Sequence, residues 1–280
     1  MSDRFSRSFA LVKASAAVLK TDPHLLVFPL ASAISMVAVV LCFALPMFGL
    51  AAFDGLRDGA DGSALVYSTG FLFYVVQYAV IFYFNAALVG AAMMRLDGGT
   101  PTFSDGLRIA NSRFGAILGY AVIAATVGII LRAIQERVGF LGRIIVGLLG
   151  VGWSVATFLV VPVLVAREVG PVQAVRDSAA LLKQTWGENV IGQAGMGFAF
   201  AVIQLAVAVS GLVLVGLAAS ISTVLAVAMV ALTIGAVLLV VLVANTLSGI
   251  YAAALYRYAA DGECIGFDKA VFDTAFLPKQ

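Results

Sequence analysis

Charged side chains are scarce in this sequence. Asp, Glu, Lys and Arg make up 11% of the 280 residues, whereas an ordinary soluble domain has about 25%. Hydrophobic residues make up 62%. Apolar stretches this long and frequent cannot be covered by a water-facing shell, so the composition excludes a soluble fold and indicates that the chain lies in lipid.

Histidine and cysteine are almost absent, which excludes several kinds of site. His24 is the only histidine, so multi-histidine metal sites and most histidine-dependent triads are ruled out. Cys42 lies in an apolar segment and Cys264 in the C-terminal tail, so no disulfide between them is expected. Ser154 and Ser248 lie in apolar segments with no base predicted beside them. We therefore predict no catalytic residue, metal or cofactor, and no enzymatic activity.

Long apolar segments are abundant. Each exceeds the roughly 20 residues that an α-helix needs to cross about 30 Å of hydrocarbon. They lie at about 25–53, 64–94, 114–133, 142–166, 189–218 and 222–256. The last two form one uncharged stretch, in which Gly216, Ser220 and Ser222 mark the predicted turn. The predicted fold class is all-α, a polytopic membrane protein with six transmembrane helices.

The positions of Lys and Arg predict the orientation, because cytoplasmic flanks of membrane helices retain positive charge. Thirteen of the 17 basic residues fall on the side of both termini: Arg4, Arg7, Lys13, Lys20, Arg95, Arg108, Arg113, Arg167, Arg176, Lys183, Arg257, Lys269 and Lys279. The other side has only Arg57, Arg132, Arg137 and Arg143. Both termini are therefore predicted to be cytoplasmic. The basic residues form no single patch with interleaved aromatics, so no nucleic-acid partner is predicted.

Three segments outside the spans have apolar residues at helical spacing opposite polar ones. This pattern predicts three amphipathic helices on the cytoplasmic surface. Their apolar positions are, in chain order, Phe5, Phe9, Val12, Ala16 and Leu19; Phe103, Leu107, Ala110 and Phe114; and Val172, Val175, Ala179, Leu182 and Trp186.

These surface helices indicate an internal repeat. Each unit has a surface helix, an inbound span, a short outer turn and an outbound span. The units run at about 3–94, 101–166 and 171–256. After each outbound span come Arg, an acidic residue and a Gly that would let the chain turn along the surface. We predict a single membrane domain over 1–280, with a parallel three-fold hairpin repeat and a cytoplasmic tail at 257–280.

Uncharged polar residues occur within the predicted spans, although no span has an ionisable residue at its middle. The absence of such residues argues against ion or proton transport. The polar positions are Gln77, Asn85, Gln193, Gln204 and Asn245. They either line a narrow polar path or bond one helix to another, and the second interpretation is favoured.

Other residues suit contacts with headgroups or with a partner. Trp186 would anchor the start of the fifth span, where Glu188 lies near the positive end of the helix dipole. Tyr67, Tyr74 and Tyr78 fall on one face of the second span. That face suits a protein or lipid contact.

Glycine spacing predicts one close helix approach. Gly115 and Gly119 form a GxxxG pattern at the start of the third span. The approach would lie either within the bundle or between copies of the chain.

A recognisable pattern links the start, the middle and the end of the chain. It comprises residues 8–15 with 26–30, Val161-Pro162-Val163-Leu164-Val165 through Ser178, Lys183 and Trp186-Gly187-Glu188, and residues 254–259. Over nearly its whole length, the chain resembles an uncharacterised family of bacterial six-span membrane proteins. More remotely, it is similar to the membrane domain of bacterial glycerophosphoryl diester phosphodiesterases, but without a catalytic domain that activity is not implied. The resemblance implies a bacterial inner (plasma) membrane location and no particular reaction.

We therefore expect a non-catalytic inner-membrane protein that acts through contacts, as a membrane organiser or an accessory subunit of a membrane complex. Its expected partners are membrane lipids and either another membrane protein or further copies of the chain. The alternative is a passive channel or facilitator for a small solute or lipid, using the polar residues named above.

Overall fold

The computed structural model describes residues 15–52, 60–184 and 186–261. Within these ranges, side chains are described except at 46–52, 60–66, 184, 186–196, 198 and 261. The described residues contain no strand. They form helices α1 (15–21), α2 (Val27–Ala52), α3 (Ala60–Leu96), α4 (Phe103–Ser112), α5 (Phe114–Arg137), α6 (Phe140–Ala156), α7 (Val160–Ala166), α8 (Pro171–Gln184), α9 (Trp186–Ala219) and α10 (Thr223–Asp261). A short 3₁₀ helix, Pro23–Leu26, lies between α1 and α2.

Six helical segments in the described part of the chain are long and apolar enough to cross a membrane. They are Pro23–Leu45, Tyr67–Leu96, Phe114–Arg137, Phe140–Ala166, Ala199–Ala219 and Thr223–Ala260. Each corresponds to one of the six predicted segments. The prediction of an all-α, multi-pass membrane protein is therefore confirmed.

The turn between the fifth and sixth spans lies where the sequence predicts it. The N–H groups of Ile221 and Ser222 both donate to the Ala218 carbonyl oxygen at 3.0 Å. The Ser222 hydroxyl oxygen then accepts a hydrogen bond from the Val224 N–H at 3.2 Å and so caps α10. Gly216 lies inside α9, so the serines rather than this glycine make the turn.

The fourth span is broken, although the sequence analysis predicts one continuous segment. α6 ends at Ala156, residues 157–159 form a turn, and α7 begins at Val160. Pro162 lies in the first turn of α7 and has no N–H to donate to the Phe158 carbonyl. Its ring would also clash with that carbonyl in a continuous helix. The proline therefore explains a break one turn before it.

A side chain from α8 closes this break. Ser178 is fully buried. Its hydroxyl donates to the Ala156 carbonyl oxygen at 2.7 Å and accepts from the Leu159 N–H at 3.1 Å. Two backbone groups at the break are thus hydrogen-bonded inside the protein, as a low-dielectric membrane environment requires.

The chain leaves α3 by a Schellman turn. Gly98 has a φ of +82°, a conformation that favours glycine. Its N–H donates to the Arg95 carbonyl, and the Gly99 N–H donates to the Met94 carbonyl, each at 3.0 Å. The predicted turning glycine is confirmed at this junction. Gly170 of the second junction has no positive φ, and Gly262 of the third junction lies outside the described residues.

α4 and α8 pack closely on the spans where glycine leaves room. A Cβ atom on Gly106 of α4 would lie 2.7 Å from the Ala87 carbonyl oxygen of α3. One on Gly119 of α5 would lie 2.8 Å from Cγ of Pro171, the first residue of α8. Gly115 has open space around it. The close approach predicted from the GxxxG pair is therefore made by Gly119 alone.

α8 packs into the protein through Ala174, Ser178, Leu181 and Leu182. Of its predicted apolar positions, Leu182 is buried, Val175 is half-buried, and Val172 and Ala179 are exposed. The predicted face comprises only apolar residues at helical spacing, so it does not include the polar Ser178. Its hydrogen bonds at the break are the reason that it is buried.

The described residues divide into two compact units. One lies within 27–184, and the other comprises the described residues of 15–26 and 186–261. In the first, α3 packs against α2, α4, α5 and α7, and residues 86–93 are buried. In the second, α9 packs along α10, which also contacts the 3₁₀ helix. The internal three-fold repeat and the single membrane domain stay predictions.

Candidate functional site

The polar candidates are distributed over both compact units. Gln77 and Asn85 are half-buried on α3. Gln204 is half-buried on α9, whereas Asn245 is exposed on α10. The side chain of Gln193 lies outside the described residues. Within one unit Gln77 and Asn85 lie on one helix, and within the other Gln204 and Asn245 lie on one hairpin.

Gln77 carries a buried carbonyl oxygen. Its Oε1 accepts no hydrogen bond from the part of the chain that the structure describes. An unsatisfied buried acceptor costs about 1–3 kcal/mol of stability. Gln77 is thus the residue of the polar set that most favours a polar path.

The tyrosine face of α3 is used largely within the chain. The Tyr74 hydroxyl accepts a hydrogen bond from Arg132 of α5 at 2.9 Å. The Tyr78 ring stacks on Phe82 with centroids 5.6 Å apart, and Phe82 packs on Tyr120 of α5 at 4.5 Å. Tyr74 and Tyr78 therefore contribute to the α3–α5 contact.

The other candidates for external contact are Tyr67, Trp186 and Glu188. Tyr67 is exposed on α3. The backbone of Trp186 and Glu188 belongs to α9, but their side chains lie outside the described residues. Among these three, Tyr67 alone has a described side chain that faces outward.

The α9–α10 hairpin has a long uncovered apolar surface. In the most apolar 18 residues of its two helices, 6% and 0% of the residues are buried, against 28% in the second, third and fourth spans. Leu212 of α9 is 72% exposed and Leu239 of α10 is 59% exposed. Gly211 lies so close to Thr233 that a Cβ atom would collide with that side chain. The two helices thus share a tight seam and leave broad outward faces for lipid or a partner.

The start of α4 is fixed by a capping box. The Thr102 hydroxyl oxygen accepts from the Asp105 N–H at 3.2 Å, and the Asp105 carboxylate accepts from the Thr102 N–H at 3.0 Å. Hydrogen bonds from the Thr102 hydroxyl and N–H, together with the charge of Arg108, lower the pKa of Asp105 below its usual value. α4 therefore begins with an ionised carboxylate at the positive end of its dipole.

Two ion pairs surround α8. Arg113, at the start of α5, contacts Glu168 at 3.1 Å, and Arg167 contacts Asp177 of α8 at 3.3 Å. Both pairs include an exposed partner and contribute little stability by themselves. Their main effect is to neutralise the acidic residues next to α8.

Two basic residues of α8 are not paired in this way. Arg176 and Lys183 are exposed. Neither forms an ion pair or a hydrogen bond with a residue in the described ranges. They leave a positive charge on the outward side of α8.

Ser154 is one of the two serines that lie in apolar segments without a predicted base. The Ser154 hydroxyl donates to the Gly150 carbonyl of its own helix at 3.0 Å. Over residues 15–52, 60–184 and 186–261, no three His, Cys, Asp or Glu side chains gather as metal ligands.

Sequence reasoning missed the roles of three residues in this region, Thr102, Asp105 and Ser178. The Thr102-x-x-Asp105 spacing is the signature of a capping box and would have located the start of α4. Ser178 stands in the family-like pattern, but its role depends on a break in another helix. Nothing in the sequence around Ser178 indicates its hydrogen bonds to Ala156 and Leu159.

One family model matches the chain. It is described as a family of unknown function (DUF6159) and matches residues 64–267, from the start of the second span to beyond the sixth. No curated protein matches the sequence. The match confirms the resemblance to an uncharacterised family.

Proposed function

We propose that this chain, which belongs to the family of unknown function DUF6159, is a non-catalytic membrane protein that organises a membrane complex or serves as its accessory subunit. In this proposal it lies in a bacterial inner membrane with both termini cytoplasmic, because of its basic-residue distribution. α1, α4 and α8 are then amphipathic helices at the cytoplasmic surface. The remote similarity to the membrane domain of bacterial glycerophosphoryl diester phosphodiesterases stays a prediction.

The exposed α9–α10 hairpin is the observation that carries the proposal. Its helices contact each other along a seam at Gly211 and Thr233 and leave large side chains such as Leu212 outward. In lipid, helices associate by close packing rather than by the hydrophobic effect. A long, uncharged face of this kind suits lateral packing against another membrane helix, from a partner protein or a second copy.

The alternative is a passive channel or facilitator for a small solute or lipid. The buried Oε1 of Gln77 favours it. Less support comes from the hairpin, where the hydroxyls of Ser210, Thr233 and Thr246 bond to carbonyls of their own helices. Asn245 is exposed. The contact function therefore has the stronger support.

Photo-crosslinking in native membranes tests the contact function. Benzoylphenylalanine would replace Leu212 or Leu239 on the hairpin, and Leu148 of α6, which is 66% exposed, serves as the matched control. We expect a discrete protein adduct from the hairpin positions and none from Leu148. The same adduct from all three positions would indicate random collision and contradict the proposal.

Native mass spectrometry of the gently purified complex gives the second readout. A stoichiometric protein partner, or a defined number of copies of the chain, is the expected result. A homogeneous particle with one copy and lipid alone would overturn the organiser function. Proteoliposome flux measurements on Gln77→Ala and Asn85→Ala would then test the facilitator.

A further inference from the structure

We infer that the outward face of α8, defined by Val172, Arg176, Ala179 and Lys183, binds the headgroups of anionic phospholipids. This inference rests on the proposed function, since it names a lipid partner for a protein that acts through contacts. It concerns a different surface from the α9–α10 hairpin.

Contacts with α5 set the depth of α8 in the membrane. Arg113 immediately precedes the span formed by α5, and it contacts Glu168, three residues before α8, at 3.1 Å. Pro171, the first residue of α8, lies against Gly119, the sixth residue of α5. Five residues of helix rise by about 7.5 Å, so α8 begins close to the end of this span. The start of α8 therefore lies near the level of the lipid headgroups.

The basic side chains of α8 point away from the rest of the protein. α8 turns Ala174 and Ser178 into the protein. Arg176 and Lys183 are exposed on the opposite side, about 10 Å apart along the axis because seven residues separate them. Val172, on the same side, is 56% exposed. The face thus combines apolar groups that enter the boundary with cationic groups long enough to reach phosphates.

The acidic side chains in and beside α8 are paired with other residues. Glu168, before α8, pairs with Arg113, and Asp177, within α8, pairs with Arg167. Gln173 also donates to Asp177 at 2.6 Å. No acidic residue of α8 therefore competes for Arg176 and Lys183. A phosphate group supplies the negative charge that this face lacks, and anionic lipids attract such cations.

A lipid fits this face better than an acidic protein. The cations are separated by small residues, Ala179 and Ala180, and the described side chains of α8 include no large aromatic anchor of the kind that protein interfaces favour. Mobile headgroups can reach two well-separated cations without a shaped pocket. We therefore commit to anionic phospholipid as the occupant.

Lipid titration of the purified full-length chain, followed by native mass spectrometry, tests the inference. The probes are phosphatidylglycerol and zwitterionic phosphatidylcholine. We expect the wild-type chain to bind phosphatidylglycerol more tightly. R176Q with K183Q should weaken that binding by on the order of tenfold and leave phosphatidylcholine binding unchanged.

The matched control is R137Q with R143Q, which removes the same charge from exposed residues at the other ends of α5 and α6. It should retain the wild-type preference. The exchange R176K with K183R should retain it too, because both charges remain. Equal melting temperatures of the variants in detergent would show that the fold is intact.

Several results would overturn the inference. They are an unchanged preference in R176Q with K183Q, an equal loss in the R137Q with R143Q control, or a wild-type chain that does not distinguish the two lipids. An acidic protein that is lost from the R176Q with K183Q variant while lipid binding persists would also overturn it. The titration needs no protein partner, so a failed crosslinking experiment and a failed titration are distinguishable.

Discussion

The hydroxyl oxygen of Ser178 lies 2.7 Å from the carbonyl oxygen of Ala156, 22 residues earlier in the sequence. This bond connects α8 to the end of α6, where Pro162 interrupts the fourth span. The break is thus caused by Pro162 of α7 and closed by Ser178 of α8. α6, α7 and α8 consequently depend on one another for their hydrogen bonds.

Ser178→Ala should destabilise the protein measurably. It removes the acceptor for the Leu159 N–H and the donor to the Ala156 carbonyl, and leaving such buried groups unsatisfied costs about 1–3 kcal/mol. Denaturant or thermal unfolding in detergent micelles measures the loss. Ser154→Ala is the control, because that exposed hydroxyl bonds only within its own helix. Equal stability of the two variants would show that the Ser178 bonds are unimportant.

The two glycines of the GxxxG pair should respond in opposite ways to alanine. Gly119→Ala places a methyl group against the rigid ring of Pro171, and such overpacking typically costs about 1–3 kcal/mol. Gly115→Ala meets open space and should gain up to about 1 kcal/mol of helix stability. Melting temperatures of the two variants test this. A neutral Gly119→Ala would mean that α8 does not lie against α5.

Asp105 should make the start of α4 sensitive to acid. Because its pKa in the folded protein is lowered, its contribution is complete above the unfolded pKa of about 3.9 and is lost as the pH falls through the lower folded value. An NMR titration of the Asp105 carboxyl measures that pKa. Thr102→Val removes the largest cause and should raise it toward the ordinary value. A pKa that does not change in Thr102→Val would contradict the capping geometry.

Gln77→Leu separates the contact function from the channel. If Gln77 is only a packing residue, removing its unsatisfied oxygen should leave stability unchanged or raise it by about 1 kcal/mol. Solute flux into proteoliposomes should equal that of protein-free vesicles whether residue 77 is Gln or Leu. Wild-type flux that disappears in Gln77→Leu while the melting temperature holds would favour the channel.

The sequence predicts the spans well because each is a long apolar run, a property of adjacent residues. It also locates the Ser220–Ser222 turn and the turn at Gly98, where local residue types decide the backbone. The break at 157–159 is harder to predict, since Pro162 stands in an apolar run like any other. The role of Ser178 is harder still, because periodicity treats a serine as an outward residue and cannot identify a partner on another helix.

The short turn at residues 220–222 also bears on biogenesis. A loop of this length closes with little loss of chain entropy, and the contacts between α9 and α10 are made within one hairpin. The hairpin can therefore pair as soon as α10 leaves the ribosome, after the Val27–Gln184 unit has been synthesised in full. Insertion would proceed as two successive cotranslational events, and the second also joins α10 to the 3₁₀ helix Pro23–Leu26, which is synthesised much earlier.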